Sequence, residues 1–267
     1  MLVSQGRIGD RCEGAIAGAA LTADALAARH GLPRSDAGTP AAPLGPVDWR
    51  LALDDARTQL QALSALTEAT LQDGARPLLL ANTCSASLAT LPVAARHHPG
   101  LRVLWIDAHG DFNTPATTAS GYLGGMALSG GCGLWDSGLG GGIDPALATV
   151  VGGRDIDAAE AELLRRSGAR VLAPAQSTPE AVLAGLGDAP LWVHIDWDAL
   201  EPGHVPTDYR VPGGLQPEQL RAILAAIPRR QLAGLELAEF VAAGDAAVHA
   251  EAVARILHTI EPVLADG

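Results

Sequence analysis

The chain has 267 residues, of which 48% are hydrophobic and 18% charged, with 30 acidic side chains against 18 basic ones. This apolar content is enough to bury a full core and excludes an intrinsically disordered chain, and the length predicts a single α/β domain over residues 1–267. The formal net charge of −12 excludes nucleic acid and anionic membrane surfaces as partners and favours a cationic ligand. No apolar run reaches the roughly 18 residues that a membrane span needs.

Short apolar runs rich in Val, Leu and Ile alternate along the chain with longer amphipathic segments. The runs are continuously apolar, as in strands covered on both faces, and strand followed by helix predicts right-handed crossovers. The predicted fold is therefore a three-layer α/β/α sandwich with a mainly parallel central sheet. In chain order the predicted elements are a helix at 12–30, a loop at 35–46, a helix at 53–72, a strand at 77–81, a helix at 86–98, a strand at 101–107, long loops within 121–144, a strand at 148–152, a helix at 158–167, a strand at 169–173, a helix at 179–185, a strand at 191–196, a helix at 217–226, a strand at 232–237 and a helix at 246–265.

The three cysteines, Cys12, Cys84 and Cys132, are odd in number and irregularly spaced, which excludes a disulfide framework. The first residues contain no apolar stretch of the kind found in a secretory signal peptide. Both features predict a protein of the reducing cytoplasm. The sequence is also compatible with a homo-oligomer.

Polar clusters follow two of the predicted strands. Asp107, His109 and Asp111 follow one strand, and Asp196 and Asp198 follow another. Because ligands bind beyond the carboxyl ends of strands in open α/β sheets, we expect these side chains to meet. Carboxylates that lie together need a compensating positive charge, and oxygen ligands with one imidazole suit manganese as well as iron, cobalt or nickel. The alternative is that single aspartates only cap the helices that follow; two such clusters favour a metal site.

The segments LWIDAHGDFNTP and HIDWDALEP resemble the signature segments of the ureohydrolase (arginase–agmatinase) superfamily. The segments PLLLANTCSASLATL, VGGRDID and GLELAEF resemble further parts of the same family in the same order, so the resemblance extends along most of the chain. It implies an arginase-like α/β/α fold, a site with two manganese ions, and hydrolysis of a guanidino group in a small molecule.

Carried over residue by residue, the resemblance also implies roles. A water activated by both metals would attack the guanidino carbon, Asp111 would pass its proton to the leaving nitrogen, and Glu239 would pair with the guanidinium group. The implied metal ligands are Asp107 and Asp196, which would bridge the two ions, His109 and Asp198 on one ion, and Asp111 and Cys84 on the other.

The resemblance extends to the binding of an α-amino acid. Asn113, Thr118 and Ser120 match positions that bind an α-carboxylate, and Asp157, with Asp155 beside it, matches the ligand of an α-amino group. The alternative is that Asn113 and Ser120 are ordinary turn residues. Because they match together with Asp157, we expect a guanidino L-amino acid as the small-molecule partner, and not a decarboxylated guanidine.

The chain departs from the family pattern at three places. Cys84 stands where the family has a histidine ligand, Gly124 stands where arginases carry a proton-shuttling histidine, and the segment from Glu201 to Gly214 is one residue shorter. A buried free cysteine is common in proteins, but at a ligand position we expect Cys84 to bind metal as a thiolate. His194 and His249 match no family position and are left unassigned.

These departures predict a changed substrate. A thiolate donates more charge than an imidazole and would weaken the Lewis acidity of its metal, which suits a guanidine whose extra oxygen competes for the metals. The cysteine at this ligand position also resembles that of a ureohydrolase homologue of D-cycloserine biosynthesis. That resemblance implies hydrolysis of Nω-hydroxy-L-arginine to L-ornithine and hydroxyurea, as a step of antibiotic biosynthesis. The alternatives are an arginase, or another guanidino-acid hydrolase, that releases urea, and a ureohydrolase-like binding protein without catalysis.

Overall fold

A computed structural model describes residues 1–264, in which eight strands form one sheet and all neighbouring strands run parallel. In chain order the strands are β1 (Leu2–Ser4), β2 (Ser35–Ala37), β3 (Leu78–Leu80), β4 (Arg102–Ile106), β5 (Ala148–Val151), β6 (Arg170–Leu172), β7 (Leu191–Asp196) and β8 (Leu232–Ala238). Their order across the sheet is β2-β1-β3-β8-β7-β4-β5-β6, so β3, β8, β7 and β4 lie side by side in the middle.

Eight α-helices are present in the described part of the chain. The start and end of the fifth helix show how the sequence sets these limits: Asp157 accepts hydrogen bonds from the amides of Ala159 and Glu160 at its start, and Gly168 ends it with a left-handed backbone at φ 77°. The helices are α1 (Ala15–His30), α2 (Trp49–Gln72), α3 (Ser87–His97), α4 (Ala127–Gly131), α5 (Ala158–Ser167), α6 (Pro179–Leu183), α7 (Pro217–Ala226) and α8 (Ala246–Leu264).

Helices cover both faces of the sheet, so the predicted α/β/α sandwich is confirmed. Side chains of α1, α6, α7 and α8 form the core on one face, and those of α2, α3, α4 and α5 form the core on the other. Successive residues of β4 alternate between the two, with Leu104 and Ile106 in the first core and Val103 and Trp105 in the second. No helix within residues 1–264 is long and apolar enough to cross a membrane.

The structure corrects the sequence prediction in two places. Residues 35–46 were predicted as a loop, but Ser35–Ala37 is a strand, and the strand Leu2–Ser4 was missed. Both have three residues, too few for an apolar pattern to show, and β2 exposes two of them. Residues 121–144 were predicted as long loops, but they contain a short 3-10 turn at Gly124–Met126 that continues into α4. Other predicted ends shift by a few residues, and position 265 lies outside the described residues.

Helix α1 packs very closely against the chain that leaves β8. A Cβ atom added at Gly18 would lie 1.8 Å from the carbonyl oxygen of Phe240. That contact is with backbone, which cannot turn aside as the end of a long side chain can. Gly18 therefore lets the helix approach the segment that carries Glu239.

Gly18→Ala should lower the free energy of unfolding by about 1–3 kcal/mol, because the added methyl group overpacks this contact. Ala17→Ser, on the exposed face of the same helix, is the control and should stay within about 0.5 kcal/mol of the parent. Urea titration followed by circular dichroism measures both variants. Equal stability of the two would show that the contact is not tight.

Candidate active site

Four side chains converge where the central strands end. Cys84 follows β3, Asp107 directly follows β4, Asp196 ends β7, and Glu239 directly follows β8. Because these four strands are neighbours and parallel, their carboxyl ends meet at one edge of the sheet. The Cys84 Sγ atom lies 3.3 Å from Oδ2 of Asp196, and one ligand atom each from Cys84, Asp196 and Glu239 lie within 4.8 Å of one another.

A second group of ligand atoms lies beside the first. His109 Nδ1 is 3.2 Å from Oδ1 of Asp107 and 3.1 Å from Oδ2 of Asp198. Asp107 is oriented by the indole of Trp105, which donates to its Oδ2 at 2.9 Å, and Asp198 accepts from the amide of Ala108 at 3.2 Å. The structure therefore brings Asp107, His109 and Asp198 together, and a role for them as metal ligands stays a prediction.

The charges of this cluster call for cations. Burial, followed by repulsion from Asp107, raises the pKa of Asp111 well above its ordinary value, and burial with Asp198 does the same for Asp196. Burial raises the pKa of Asp198 to about 6. Burial lowers the pKa of His109, but its hydrogen bonds to Asp107 and Asp198 outweigh this and raise it. One imidazole cannot balance four carboxylates, so the donor set fits divalent metal ions.

The two predicted catalytic residues have unusual backbone conformations. Asp111 has φ 47° and Glu239 has φ 65°, and they are the only non-glycine residues with positive φ within residues 1–264. Such a conformation costs on the order of 1–3 kcal/mol and is held by the surroundings. The main-chain oxygen of Asp111 accepts from the amides of Leu128 at 3.0 Å and Ser129 at 3.2 Å, so the start of α4 holds that turn.

Glu239 presents one oxygen to the protein and leaves the other for a ligand. Its Oε1 accepts from the amide of Cys84 and from the phenol of Tyr122, each at 3.0 Å. Within residues 1–264, no hydrogen bond is made to Oε2. Burial raises the pKa of Glu239 to about 8, against the effect of these two donors.

A cavity of about 220 Å³ lies over the cluster. Four of the five residues predicted to bind the α-amino acid line it, namely Asn113, Ser120, Asp155 and Asp157. The fifth, Thr118, lines a separate depression of the surface, and its hydroxyl accepts from the amide of Gly121 at 3.1 Å. The structure therefore does not bring Thr118 to the cavity.

Both carboxylate oxygens of Asp157 already accept hydrogen bonds from the protein. Its Oδ1 caps α5, and its Oδ2 accepts from Nδ2 of Asn113 at 2.9 Å. The amide of Glu160, then the side chain of Asn113, lower the pKa of Asp157, so the group stays ionised. Asp155 is exposed at the same rim, with Oδ2 3.6 Å from Nε2 of His109. The rim is thus negative and suits an ammonium group.

Sequence reasoning missed a buried polar layer beneath Cys84. His194, left unassigned above, is fully buried, with Nε2 3.3 Å from Cys84 Sγ and Nδ1 3.0 Å from Oε2 of Glu236. Glu236 also accepts from the hydroxyls of Ser87 and Thr90 on α3. Against the effect of burial, the hydrogen bond from His194, with those from the two hydroxyls, holds the pKa of Glu236 below its ordinary value.

The positions of His194 and Glu236 in this layer follow from the pairing of β7 with β4 and β8. His194 is paired with Trp105 on one side and Glu236 on the other, and the indole of Trp105 stacks on the imidazole at 3.6 Å. His194 precedes Asp196 by two residues, so both side chains point to the same face of β7. This spacing was the signal in the sequence that could have linked His194 to the site.

Known proteins resemble this chain in both sequence and fold. Residues 15–260 match the arginase family. The chain belongs to the arginase family. It is 52% identical over 262 residues to the N(omega)-hydroxy-L-arginine amidinohydrolase of Streptomyces lavendulae, covering 98% of this chain and 96% of that protein. It is 29% identical to the arginase of Bacillus caldovelox over 68% of this chain and 65% of the relative.

The fold agrees with this arginase-family membership. The crystal structure of arginase from Bacillus subtilis superimposes with a TM-score of 0.84 at 22% identity, covering 100% of this chain and 98% of that chain. At that identity the likeness establishes the fold alone. Arginase-family members are binuclear metal enzymes, and the ligand cluster described above fits that chemistry.

Metal removal should make the stability of this enzyme fall as pH rises. A carboxyl group with a raised folded pKa holds a proton that the unfolded chain has released, so stability declines as pH rises toward the folded pKa. With the pKa of Asp198 at about 6 and that of Glu239 at about 8 in the folded protein, and unfolded carboxyl groups at about 4, this decline runs from about pH 4 to about pH 8. Bound cations favour the ionised groups and should reverse the trend. Calorimetric melting of chelator-treated and manganese-loaded protein checks this; a melting temperature that rises with pH in the treated protein would contradict it.

His194→Ala should cost about 3–5 kcal/mol of unfolding free energy, because Glu236 would stay buried without its imidazole partner. Replacing both residues together, His194→Leu with Glu236→Leu, removes the stranded charge and should cost less. Chemical denaturation of the two proteins side by side makes the comparison. If the single variant were the more stable of the two, the layer would not be an ion-pair network.

Proposed function

We propose that this arginase-family enzyme hydrolyses Nω-hydroxy-L-arginine to L-ornithine and hydroxyurea. The observation that carries the proposal is Cys84, a thiol held 3.3 Å from Asp196 beside a cluster of carboxylate and imidazole side chains that could bind metal. The relative that is 52% identical over nearly the full chain is named for the same substrate. A role of this reaction in antibiotic biosynthesis stays a prediction.

The metals proposed are two manganese ions. Bound together, they would lower the pKa of a water molecule so that it can act as a nucleophile near neutral pH. The mixture of carboxylate oxygens, one imidazole and one thiolate also accommodates other divalent ions. The residues that would hold the metals are Cys84, Asp107, His109, Asp111, Asp196 and Asp198.

At the guanidino end, the protein contributes the carboxylates of Asp111 and Glu239, both on residues with positive φ. Glu239 uses its free Oε2 to accept from a guanidino N–H, while its Oε1 stays fixed by Cys84 and Tyr122. Asp111 is buried and lines the same cavity, which places its carboxylate to take a proton from water and return it. A bond forms between water oxygen and the guanidino carbon, the bond from that carbon to Nδ breaks, and Nδ takes the proton.

At the other end of the cavity, the acidic rim selects an amino acid. Asp155 and Asp157 are placed to accept from an α-ammonium group. Asn113 and Ser120 line the same rim and supply donors for an α-carboxylate. The partner is therefore proposed to be a small guanidino L-amino acid.

Cys84 is proposed to favour the hydroxylated substrate through charge. A thiolate donates more electron density than the imidazole it replaces, so the hydroxyl oxygen of the substrate competes less well for the metal.

The three cysteines are all free, which supports a reducing compartment such as the cytoplasm. An arginase activity is the second candidate, because Glu239 and the acidic rim would bind arginine by the same contacts.

A paired assay of the manganese-loaded enzyme with L-arginine and Nω-hydroxy-L-arginine tests the substrate. We expect kcat/KM to favour the hydroxylated compound by at least about tenfold, which corresponds to about 1.4 kcal/mol of transition-state binding. Cys84→His should reduce that ratio by at least about tenfold, because it restores an imidazole donor. Cys132→Ser, at a half-buried cysteine outside the cavity, is the matched control and should keep the ratio. Faster turnover of arginine by the parent enzyme would favour the second candidate.

A further inference from the structure

Tyr122 reaches the guanidino end of the cavity from the segment before α4. Its phenol donates to Oε1 of Glu239 at 3.0 Å. The guanidinium carbon of Arg11 lies 4.6 Å from the centre of its ring, and the side chain of Arg11 is anchored by donation to the main-chain oxygen of Ser120 at 3.0 Å. The ring is thus held between a cation and the cavity, which is a favourable arrangement for an aromatic side chain.

Gly124 is the residue that makes room for this ring. A Cβ atom at position 124 would lie 2.5 Å from Cε1, 2.8 Å from Cζ and 3.0 Å from Oη of Tyr122. Gly124 does not have a positive φ, so its backbone does not require glycine. The requirement is one of space, and any side chain at 124 would compete with Tyr122 for the same volume beside Glu239.

The phenol oxygen keeps accepting capacity after it has donated its hydrogen. Burial, followed by the charge of Glu239, raises the pKa of Tyr122 well above its ordinary value, so the donor hydrogen stays in place. Tyr122 lines the cavity together with Cys84 and Asp111. An N-hydroxyguanidino group carries an O–H donor that guanidine lacks, and a polar group placed for such a donor discriminates strongly against the analogue without it.

We propose that Tyr122 determines specificity for the hydroxylated substrate, with its phenol oxygen accepting from the substrate N–OH while its hydrogen fixes Glu239. Gly124 is part of the same proposal, because only a residue without a side chain leaves space for the ring of Tyr122. The inference rests on the proposed function, which supplies the class of substrate. It assigns to one side chain two hydrogen bonds at the reacting end of the cavity, one to the protein and one to the ligand.

Tyr122→Phe keeps the ring and removes the phenol oxygen. We expect kcat/KM for Nω-hydroxy-L-arginine to fall about 30-fold or more, because both hydrogen bonds are lost, and that for L-arginine to fall only a few-fold through the loosened Glu239. The ratio of the two constants is the readout, since a merely structural defect lowers both alike. Tyr209→Phe is the matched control: Tyr209 lines the same cavity with its ring centre 6.2 Å from that of Tyr122, and should change the ratio less than about threefold.

Gly124→Ala tests the spatial part of the proposal. The added methyl group should displace the ring and reduce the ratio in the same direction as Tyr122→Phe. In a Tyr122→Ala background, where no ring is present, the same change should have little further effect, so the two sites should be strongly coupled in a double-mutant cycle. Additive effects of the two changes would overturn the spatial argument.

The outcomes separate this inference from the proposed function. If the parent enzyme prefers the hydroxylated substrate and Tyr122→Phe leaves the ratio unchanged, the role of Tyr122 is wrong and the function stands. If the parent prefers arginine, the proposed function fails. If neither compound is turned over, calorimetric titration of loaded protein with Nω-hydroxy-L-arginine decides: Tyr122→Phe should weaken binding at least about tenfold, and equal affinities would overturn the inference.

Discussion

Like charges buried together at one edge of a parallel sheet are the constraint on which the rest of this structure depends. Asp107, Asp111, Asp196 and Asp198 are each at most 6% exposed, so water screens their repulsion poorly. Parallel strands direct their carboxyl ends to one edge, and the order β3-β8-β7-β4 makes the contributing strands neighbours. The fold brings these groups together but does not itself offset their repulsion. Bound cations, the imidazole of His109 and hydrogen bonds from backbone amides would offset it.

At each of the two site positions that depart from the family pattern, Cys84 and Gly124, a neighbouring side chain occupies the adjacent space. Cys84 is shorter than a histidine, and beneath it His194 fills the layer between Trp105 and Glu236. Gly124 has no side chain, and the ring of Tyr122 occupies the space beside it. Neither change is therefore a simple loss of a functional group. In each case a second polar side chain lies against the smaller residue, His194 against Cys84 and Tyr122 against Gly124.

The sequence predicted much of the fold and of the ligand cluster, for physical reasons that also explain the failures. Asp107 and Asp196 come at the ends of short apolar runs, so their place at the sheet edge could be anticipated from parallel-strand geometry. His194 and Tyr122 gave weaker signals, because their roles depend on register and on packing between segments distant in sequence. Thr118 matched a family position by spacing alone, and the local turn around Gly121 carries its side chain elsewhere.

The two outermost strands of the sheet set a limit on how copies of the chain could associate. β2 and β6 have three residues each, and Asp36 of β2 is paired with Arg34 at 2.6 Å. On β6, the guanidinium group of Arg170 donates to the main-chain oxygens of Ala181 and Ala184. Short edges that carry charged groups are poor templates for adding a further strand. Assembly by extension of the sheet is therefore disfavoured, and the helical layers are the surfaces left for self-association.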